Sequence, residues 1–272
     1  MSFHIIYDDG VDNLVLLEES NYTTRIPMSV NVGDKEFRDK EALMKAMKTS
    51  KEPARTACPS IGHYIDAIEA HRDDDVYIVT LSSALSGSYN AAMNAVQICR
   101  ESYSDIKAHV FDSLSATAGE TRVALEVYTK AKENMAFDDI ISHIEGFIKN
   151  YNTLFVIDNL TNLIKNGRLS KLEGQFISLA QIKFVGYASR EGHIEVEQKA
   201  IGIESAYTKL LNELKVNIGD DDVVVISNCR AMERAVKLRK ALEEIGITKI
   251  YMADAEIITT VYGNVGSVEV SW

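Results

Sequence analysis

The segment DVYIVTLSSALSGSYNAAMNAVQIC, residues 75–99, joins a continuous apolar run to a helical pattern through a turn rich in hydroxyl groups. The run at residues 75–81 has the unbroken hydrophobicity that is typical of a strand buried on both faces of a parallel sheet. After the turn, apolar residues recur at close to helical spacing, which predicts an amphipathic helix. The segment therefore predicts a strand–turn–helix unit, with the turn at the carboxyl end of a parallel strand.

The same alternation of strand and helix extends over the first half of the chain. Strand-like runs occur at residues 3–8 and 107–113, and helical patterns occur at residues 40–48 and 116–133. Strands that are separated by helical segments predict βαβ units, in which helices cover both faces of a parallel sheet. We expect residues 1–150 to form a three-layer α/β/α domain.

The second half has a different pattern. Residues 183–199 read as two alternating runs joined near residues 190–192, which predicts a β-hairpin. The apolar run at residues 221–228 is followed by a helical pattern, as in a βαβ unit. A hairpin combined with βαβ material requires a mixed sheet, so we expect residues 151–272 to form a two-layer α/β domain.

The composition excludes several classes of function. The 272 residues carry 29 Lys and Arg against 40 Asp and Glu, a formal net charge of −11, which disfavours nucleic acid as a partner. No apolar run approaches the roughly 20 residues that span a bilayer, and no secretion signal is recognisable, so we expect a cytoplasmic protein that is not embedded in a membrane. The three cysteines and six histidines form no disulfide or metal pattern, and we expect neither a metal nor a cofactor.

The turn after the run at residues 75–81 has the features of an anion site. The following helix leaves its first N–H groups without intrahelical partners, and its dipole favours an anion there. Ser83 or Ser86 can cap one of these N–H groups and still donate a hydroxyl hydrogen to a ligand, while Gly87 permits close backbone approach. The pattern indicates a site for a carboxylate or phosphate, or else a serine-rich helix cap that binds no ligand.

Two other segments carry candidate binding residues. ARTACPSIG, residues 54–62, brings Thr56 close to a helix start, and without other information a capped helix is the preferred interpretation. NLIKNGRLS, residues 162–170, reads as a helix ended by a glycine, with Arg168 just beyond it and Ser170 as the next cap. Arg168 either binds an acidic or phosphorylated partner or satisfies the last carbonyls of the helix.

Five short segments, taken in order, carry a resemblance to a known family. LSSALSGSYNAA is close to that family's pattern S-S-x-L-S-G-T-Y-x-S-A and is the most specific of the five segments. Together they resemble the DegV family of bacterial fatty-acid-binding proteins, which includes the FakB subunits of fatty acid kinase. The five segments are RIPMSV (25–30), RTACPS (55–60), LSSALSGSYNAA (81–92), VFDSLSATAG (110–119) and NLTNLIKNGRLS (159–170).

This resemblance implies a function. A protein of this kind has two α/β domains and buries one long-chain fatty acid between them, with no catalysis on the chain itself. By the resemblance, Thr56, Ser83 and Ser86 would hold the carboxylate. A separate kinase subunit would convert the bound acid to acyl-phosphate with ATP, and Arg168 would lie on the surface that docks to it.

The last third of the chain departs from the family pattern. Phe184 replaces a proline, Lys199 is retained without the arginine expected after it, and Val261 replaces a histidine. The last two changes remove two charge-assisted hydrogen-bond donors from the expected headgroup site.

Other functions therefore stay open at the level of the sequence. One is a hydrolase or acyltransferase with Ser86 or Ser83 as nucleophile, for which no general base can be named. Another is a binder of a different apolar carboxylate, such as an isoprenoid or retinoid-like acid. A third is an interaction protein with a degenerate pocket.

Overall fold

The computed structural model describes residues 2–169, 182–219 and 222–272, so the cap expected at Ser170 lies outside the described residues. The strands are β1 (Phe3–Asp8), β2 (Thr23–Ile26), β3 (Ser29–Val32), β4 (Lys35–Phe37), β5 (Ala54–Ala57), β6 (Asp75–Thr80), β7 (Ala108–Asp112), β8 (Thr153–Ile157), β9 (Ile182–Ala188), β10 (Ile194–Ile201), β11 (Val223–Asn228), β12 (Lys249–Asp254) and β13 (Val268–Ser271). The helices are α1 (Val15–Glu18), α2 (Lys40–Thr49), α3 (Ile61–Ala70), α4 (Ser88–Ser102), α5 (Ala118–Lys132), α6 (Phe137–Ile148), α7 (Thr161–Lys165), α8 (Ile203–Asn217), α9 (Met232–Glu243) and α10 (Ile257–Tyr262).

The first half of the chain forms the expected parallel sheet. Its strand order is β2-β1-β6-β7, and each neighbouring pair is parallel. Strands β1 and β6 are buried along their whole length, because α3 and α4 cover one face and α5 and α6 cover the other. The three-layer arrangement predicted from the alternating pattern is confirmed.

The second half forms the expected mixed sheet. Its strand order is β10-β9-β8-β13-β11-β12, in which β11 and β12 are parallel and the other pairs are antiparallel. Helices α8 and α9 cover its outer face. Its inner face packs against α5, which therefore lies between the two sheets and is buried along its first half. The predicted hairpin of β9 and β10 is also confirmed.

A small antiparallel sheet was not expected from the sequence. It has the order β4-β3-β5, and it places Thr56 opposite Val30. The strand β5 has only four residues and no clear alternation of apolar and polar residues, so its sequence carries little strand signal. The helix start expected nearby is present, with the Ser60 hydroxyl accepting a hydrogen bond from the His63 N–H at 3.3 Å.

Asp8, at the end of β1, fixes the turn that follows β6. Its carboxylate accepts hydrogen bonds from the backbone N–H groups of Gly10 at 2.8 Å and Leu81 at 3.2 Å. It also accepts a short hydrogen bond from the hydroxyl of Ser88, the first residue of α4. One buried carboxylate thus holds both ends of residues 81–87 against the neighbouring strand.

Within the described residues, every helix is too short or too polar to cross a lipid bilayer.

Candidate functional site

A cavity of about 290 Å³ lies between the turn at residues 81–87 and the inner face of the mixed sheet. Its apolar lining includes Leu85, Phe155, Ile157 and Leu163. Its size is near the lower end of the range for pockets that bury small molecules. The polar residues that line it are Thr56, Ser86, Ser115, Thr117, Thr153, Arg168, His193, Tyr262 and Glu269.

Thr56 and Tyr262 form a hydroxyl pair in this lining. The Thr56 Oγ1 and Tyr262 Oη atoms are 2.8 Å apart, and either one can donate the hydrogen. Because the pair has two hydrogens and uses one internally, the second is available for an oxygen of a ligand. The pair is therefore suited to hold a carboxylate.

Ser86 and Gly87 add the beginning of α4 to the same lining. The Ser86 hydroxyl accepts a hydrogen bond from the Ser88 N–H at 3.2 Å, as expected for a capping serine. A Cβ atom on Gly87 would lie 3.1 Å from the Cys58 sulfur, so glycine lets the turn and β5 approach closely. The start of this 15-residue helix thus contributes a hydroxyl and a favourable dipole to the cavity.

Ser83 lies elsewhere. It is exposed and does not belong to the lining of the cavity, and its backbone N–H donates to the Asp112 carboxylate at 3.0 Å. The sequence could not separate Ser83 from Ser86, since both stand in the same turn. The structure separates them because the turn directs only one of the two hydroxyl groups inward.

Arg168 lines the cavity and is half-buried. Its Nε donates to the Leu85 carbonyl at 3.3 Å, and its Nη1 makes a short bond to the carbonyl of Asn166, the residue that caps α7. The guanidinium thus satisfies a helix carbonyl, one of the two roles considered from the sequence. It has five donors, so N–H groups remain for a further acceptor.

The structure shows how two of the residues that depart from the family pattern are packed. Val261, in the place of the histidine, is fully buried in an apolar cluster with Met28 and Leu81. The next residue, Tyr262, provides the hydroxyl that bonds to Thr56. Phe184 packs in the apolar cluster around Leu163. Tyr262 was not predicted as a site residue, because the comparison with the family pattern concerned the adjacent residue, Val261.

The face of the mixed sheet forms the other wall of the cavity. Thr153, Phe155 and Ile157 alternate along β8, so their side chains share one face of the sheet and all line the cavity. Glu269 on β13 pairs with Phe155 and lies on that same face. Neither Thr153 nor Glu269 was predicted from the sequence as a site residue.

Glu269 is a buried carboxyl group beside the hydroxyl groups of Thr117 and Ser267. It is 4% exposed, and its Oε2 atom has no hydrogen-bond partner among the described residues. Burial, with the Asp12 carboxyl nearby, raises the pKa of Glu269 to about 8. The group is therefore mostly protonated at neutral pH and can donate as well as accept a hydrogen bond.

Known proteins are similar to this chain in sequence and in fold. A family model described as "Uncharacterised protein, DegV family" matches residues 2–272. A DegV domain-containing protein of Streptococcus pneumoniae is 35% identical over an alignment of 223 residues, and the match covers 78% of each chain.

Two solved structures with a bound fatty acid are similar over nearly the full length. A DegV family protein from Ruminococcus gnavus, with vaccenic acid, has a TM-score of 0.92 and 30% identity, and the match covers 100% of both chains. The Streptococcus pneumoniae Fatty Acid Kinase (Fak) B3 protein, loaded with linoleic acid, has a TM-score of 0.92 and 28% identity, covering 100% of this chain and 99% of that one.

Proposed function

The chain belongs to the DegV family, and on that premise we propose that it binds a long-chain fatty acid in the cavity between its two large sheets. The observation that carries this proposal is the combination of polar groups and apolar side chains in the lining of the cavity. Hydroxyl groups and the start of α4 meet at one end, while Phe155, Ile157 and Leu163 offer apolar surface beside them. Each buried methylene contributes about 0.8 kcal/mol, so a long acyl chain supplies most of the affinity.

We propose that Thr56, Tyr262 and Ser86 hold the carboxylate, with Gly87 allowing the backbone of the turn to approach. Ser83, which the resemblance also named as a carboxylate ligand, is left out of this proposal, because it is exposed and does not line the cavity. Within the described part of the lining, Arg168 is the only arginine or lysine, and it adds a positive charge near the headgroup. Tyr262 and Arg168 thus compensate for the histidine and arginine that the sequence lacks.

Binding agrees with the arrangement of the cavity better than hydrolysis does. None of the hydrogen bonds between described residues joins Ser86 to a histidine, although His193 lines the same cavity. A serine nucleophile requires a base oriented toward it. The role proposed for Ser86 is therefore that of a carboxylate ligand.

The proposed assembly follows the same family. The two domains would comprise residues 1–150 and 151–272, with the acid between them. In the cytoplasm, the loaded protein would present its carboxylate to a separate ATP-dependent kinase subunit. Arg168 lies at the carboxylate end of the cavity, where such a partner would contact the chain.

The test is the retention of fatty acid by the purified protein and by two variants. Native mass spectrometry of the wild-type protein should detect a bound C14–C18 acid, and addition of a fatty acid kinase subunit with ATP should yield acyl-phosphate. The double variant Thr56→Val, Ser86→Ala should lose most of the bound acid, since two neutral hydrogen bonds contribute roughly 1–3 kcal/mol together.

Ser83→Ala is the matched control, because it removes a hydroxyl from the same turn without touching the cavity. It should retain the acid as the wild type does. A wild-type protein that takes up no acid would refute the proposed function. Full retention by the double variant would refute only the carboxylate assignment.

A further inference from the structure

The cavity has a second group of polar residues besides the proposed carboxylate ligands. Thr153 and Ile157 both line the cavity from β8 and are four residues apart, which corresponds to about 13 Å along a strand. Ile157 belongs to the apolar cluster against which Tyr262 packs. Thr153 stands at the opposite end of β8, and we call that end of the cavity its inner end.

Hydroxyl groups at this inner end form a directed chain. The Ser115 hydroxyl donates to Thr153 Oγ1 at 3.2 Å, Thr153 donates to Ser271 Oγ at 3.2 Å, and Ser271 donates to the Asn152 carbonyl at 2.8 Å. The Ser115 hydroxyl also donates to the Ala116 carbonyl at 3.4 Å, and the oxygens of Ser115 and Thr153 keep lone pairs. This chain offers an acceptor to the cavity.

Glu269 offers the complementary donor. Its Oε2 atom is buried, has no partner among the described residues, and belongs to a side chain that lines the same cavity. No arginine, lysine or histidine of the described chain forms an ion pair with this carboxyl group. Leaving a buried polar atom unpaired is unfavourable, and a ligand group that pairs with it removes this penalty.

Thr117 completes the inner end with a third hydroxyl. Its backbone has φ of 56°, a left-handed conformation that is unusual for a β-branched residue. The conformation is held by a hydrogen bond from the Thr117 N–H to the Gly10 carbonyl at 2.9 Å.

From this juxtaposition we propose that Ser115, Thr117, Thr153 and Glu269 form a subsite for a hydroxyl group in the acyl chain, so that the preferred ligand is a long-chain hydroxy fatty acid. A hydroxyl donates one hydrogen bond and accepts others. The oxygens of Ser115 and Thr153 take the donated hydrogen, and the Glu269 carboxyl donates to the ligand oxygen. An unsubstituted acid offers no partner to the Glu269 Oε2 atom. The inference rests on the proposed function and specifies its ligand.

The experiment is a competition between stearic acid and its positional hydroxystearic isomers, added together to the delipidated protein and measured by native mass spectrometry. At least one isomer should occupy the wild-type protein about tenfold more than stearic acid does, the effect of one or two buried hydrogen bonds. Thr153→Val and Glu269→Met keep the side-chain size nearly constant, and each should shift the preference toward stearic acid.

Ser86→Ala is the control, since it weakens the carboxylate end for all these acids and should leave their ratio unchanged. Equal or weaker binding of every hydroxy isomer by the wild type would overturn the proposal and leave fatty acid binding intact. A preference that persists in both inner-end variants would overturn it as well. Failure to bind either kind of acid would instead refute the proposed function on which it rests.

Discussion

Two buried carboxyl groups illustrate how differently the two walls of the cavity are built. Asp8 stands behind the wall formed by residues 81–87, and its oxygens bind two backbone N–H groups and the Ser88 hydroxyl. Glu269 stands in the wall formed by the mixed sheet, and one of its oxygens has no partner among the described residues. The first group stabilises the fold, whereas the second leaves polar capacity for a ligand.

The largest effect that this comparison predicts is the loss of Asp8. Asp8→Ala leaves the N–H groups of Gly10 and Leu81 buried without partners, and each such group costs about 1–3 kcal/mol. We expect the free energy of unfolding to fall by about 3 kcal/mol in urea denaturation. The proposed carboxylate ligand Ser86 is then less well positioned, because the turn that carries it loses its anchor.

Ser83→Ala again serves as the comparison, since an exposed side chain in that turn should change stability by less than about 0.5 kcal/mol. If Asp8→Ala were as mild as Ser83→Ala, Asp8 would not anchor the turn.

The cavity wall formed by residues 81–87, which we call the loop wall, could be predicted from the sequence because its signals are local. A buried strand, a serine-rich turn and a helix follow one another within residues 75–99, and the position of the turn is determined by the rule for parallel strands. Ser86 and Gly87 were identified in this way. The sequence could not decide between Ser83 and Ser86, because that decision depends on the direction in which each side chain points.

The cavity wall formed by the mixed sheet, which we call the sheet wall, could not be predicted because strand pairing brings its residues together. Thr153 and Glu269 are separated by more than a hundred residues, and they share a face only through the antiparallel register of β8 and β13. The strand β5, which carries Thr56, pairs with β3 in a small sheet whose short strands have weak patterns. Tyr262 likewise reaches Thr56 across a long separation in the chain.

The next prediction concerns the contact between the two walls. Gly192, at the tip of the hairpin, has φ of +79°, and its carbonyl accepts a hydrogen bond from the Ser82 hydroxyl at 2.9 Å. A Cβ atom there would lie 2.2 Å from Ser82 Oγ. Gly192→Ala should therefore cost about 2 kcal/mol of stability, through backbone strain and the displaced hydroxyl.

Gly167→Ala isolates the contribution of the backbone. Gly167 has φ of +69°, and nothing lies within 4 Å of the position that its Cβ would occupy. The cost should be about 1 kcal/mol, from the left-handed conformation alone. Thermal or urea unfolding of both variants measures the difference, and equal costs would mean that the Ser82 contact does not join the walls tightly.

A pH-dependent effect follows from the pKa of Glu269, about 8 in the folded protein because of its burial. Below pH 4 this side chain is protonated in both the folded and the unfolded chain, and it contributes no pH dependence. Between about pH 4.5 and 8 the unfolded chain releases the proton while the folded protein keeps it, so rising pH favours unfolding.

Glu269→Gln stays neutral throughout and preserves the shape of the side chain. Its stability relative to the wild type should therefore increase by roughly 1 kcal/mol for each pH unit from 5 to 7. Urea denaturation of both proteins across that range tests this slope, and parallel curves would show that Glu269 ionises normally and that the sheet wall, like the loop wall, has satisfied its buried carboxyl group.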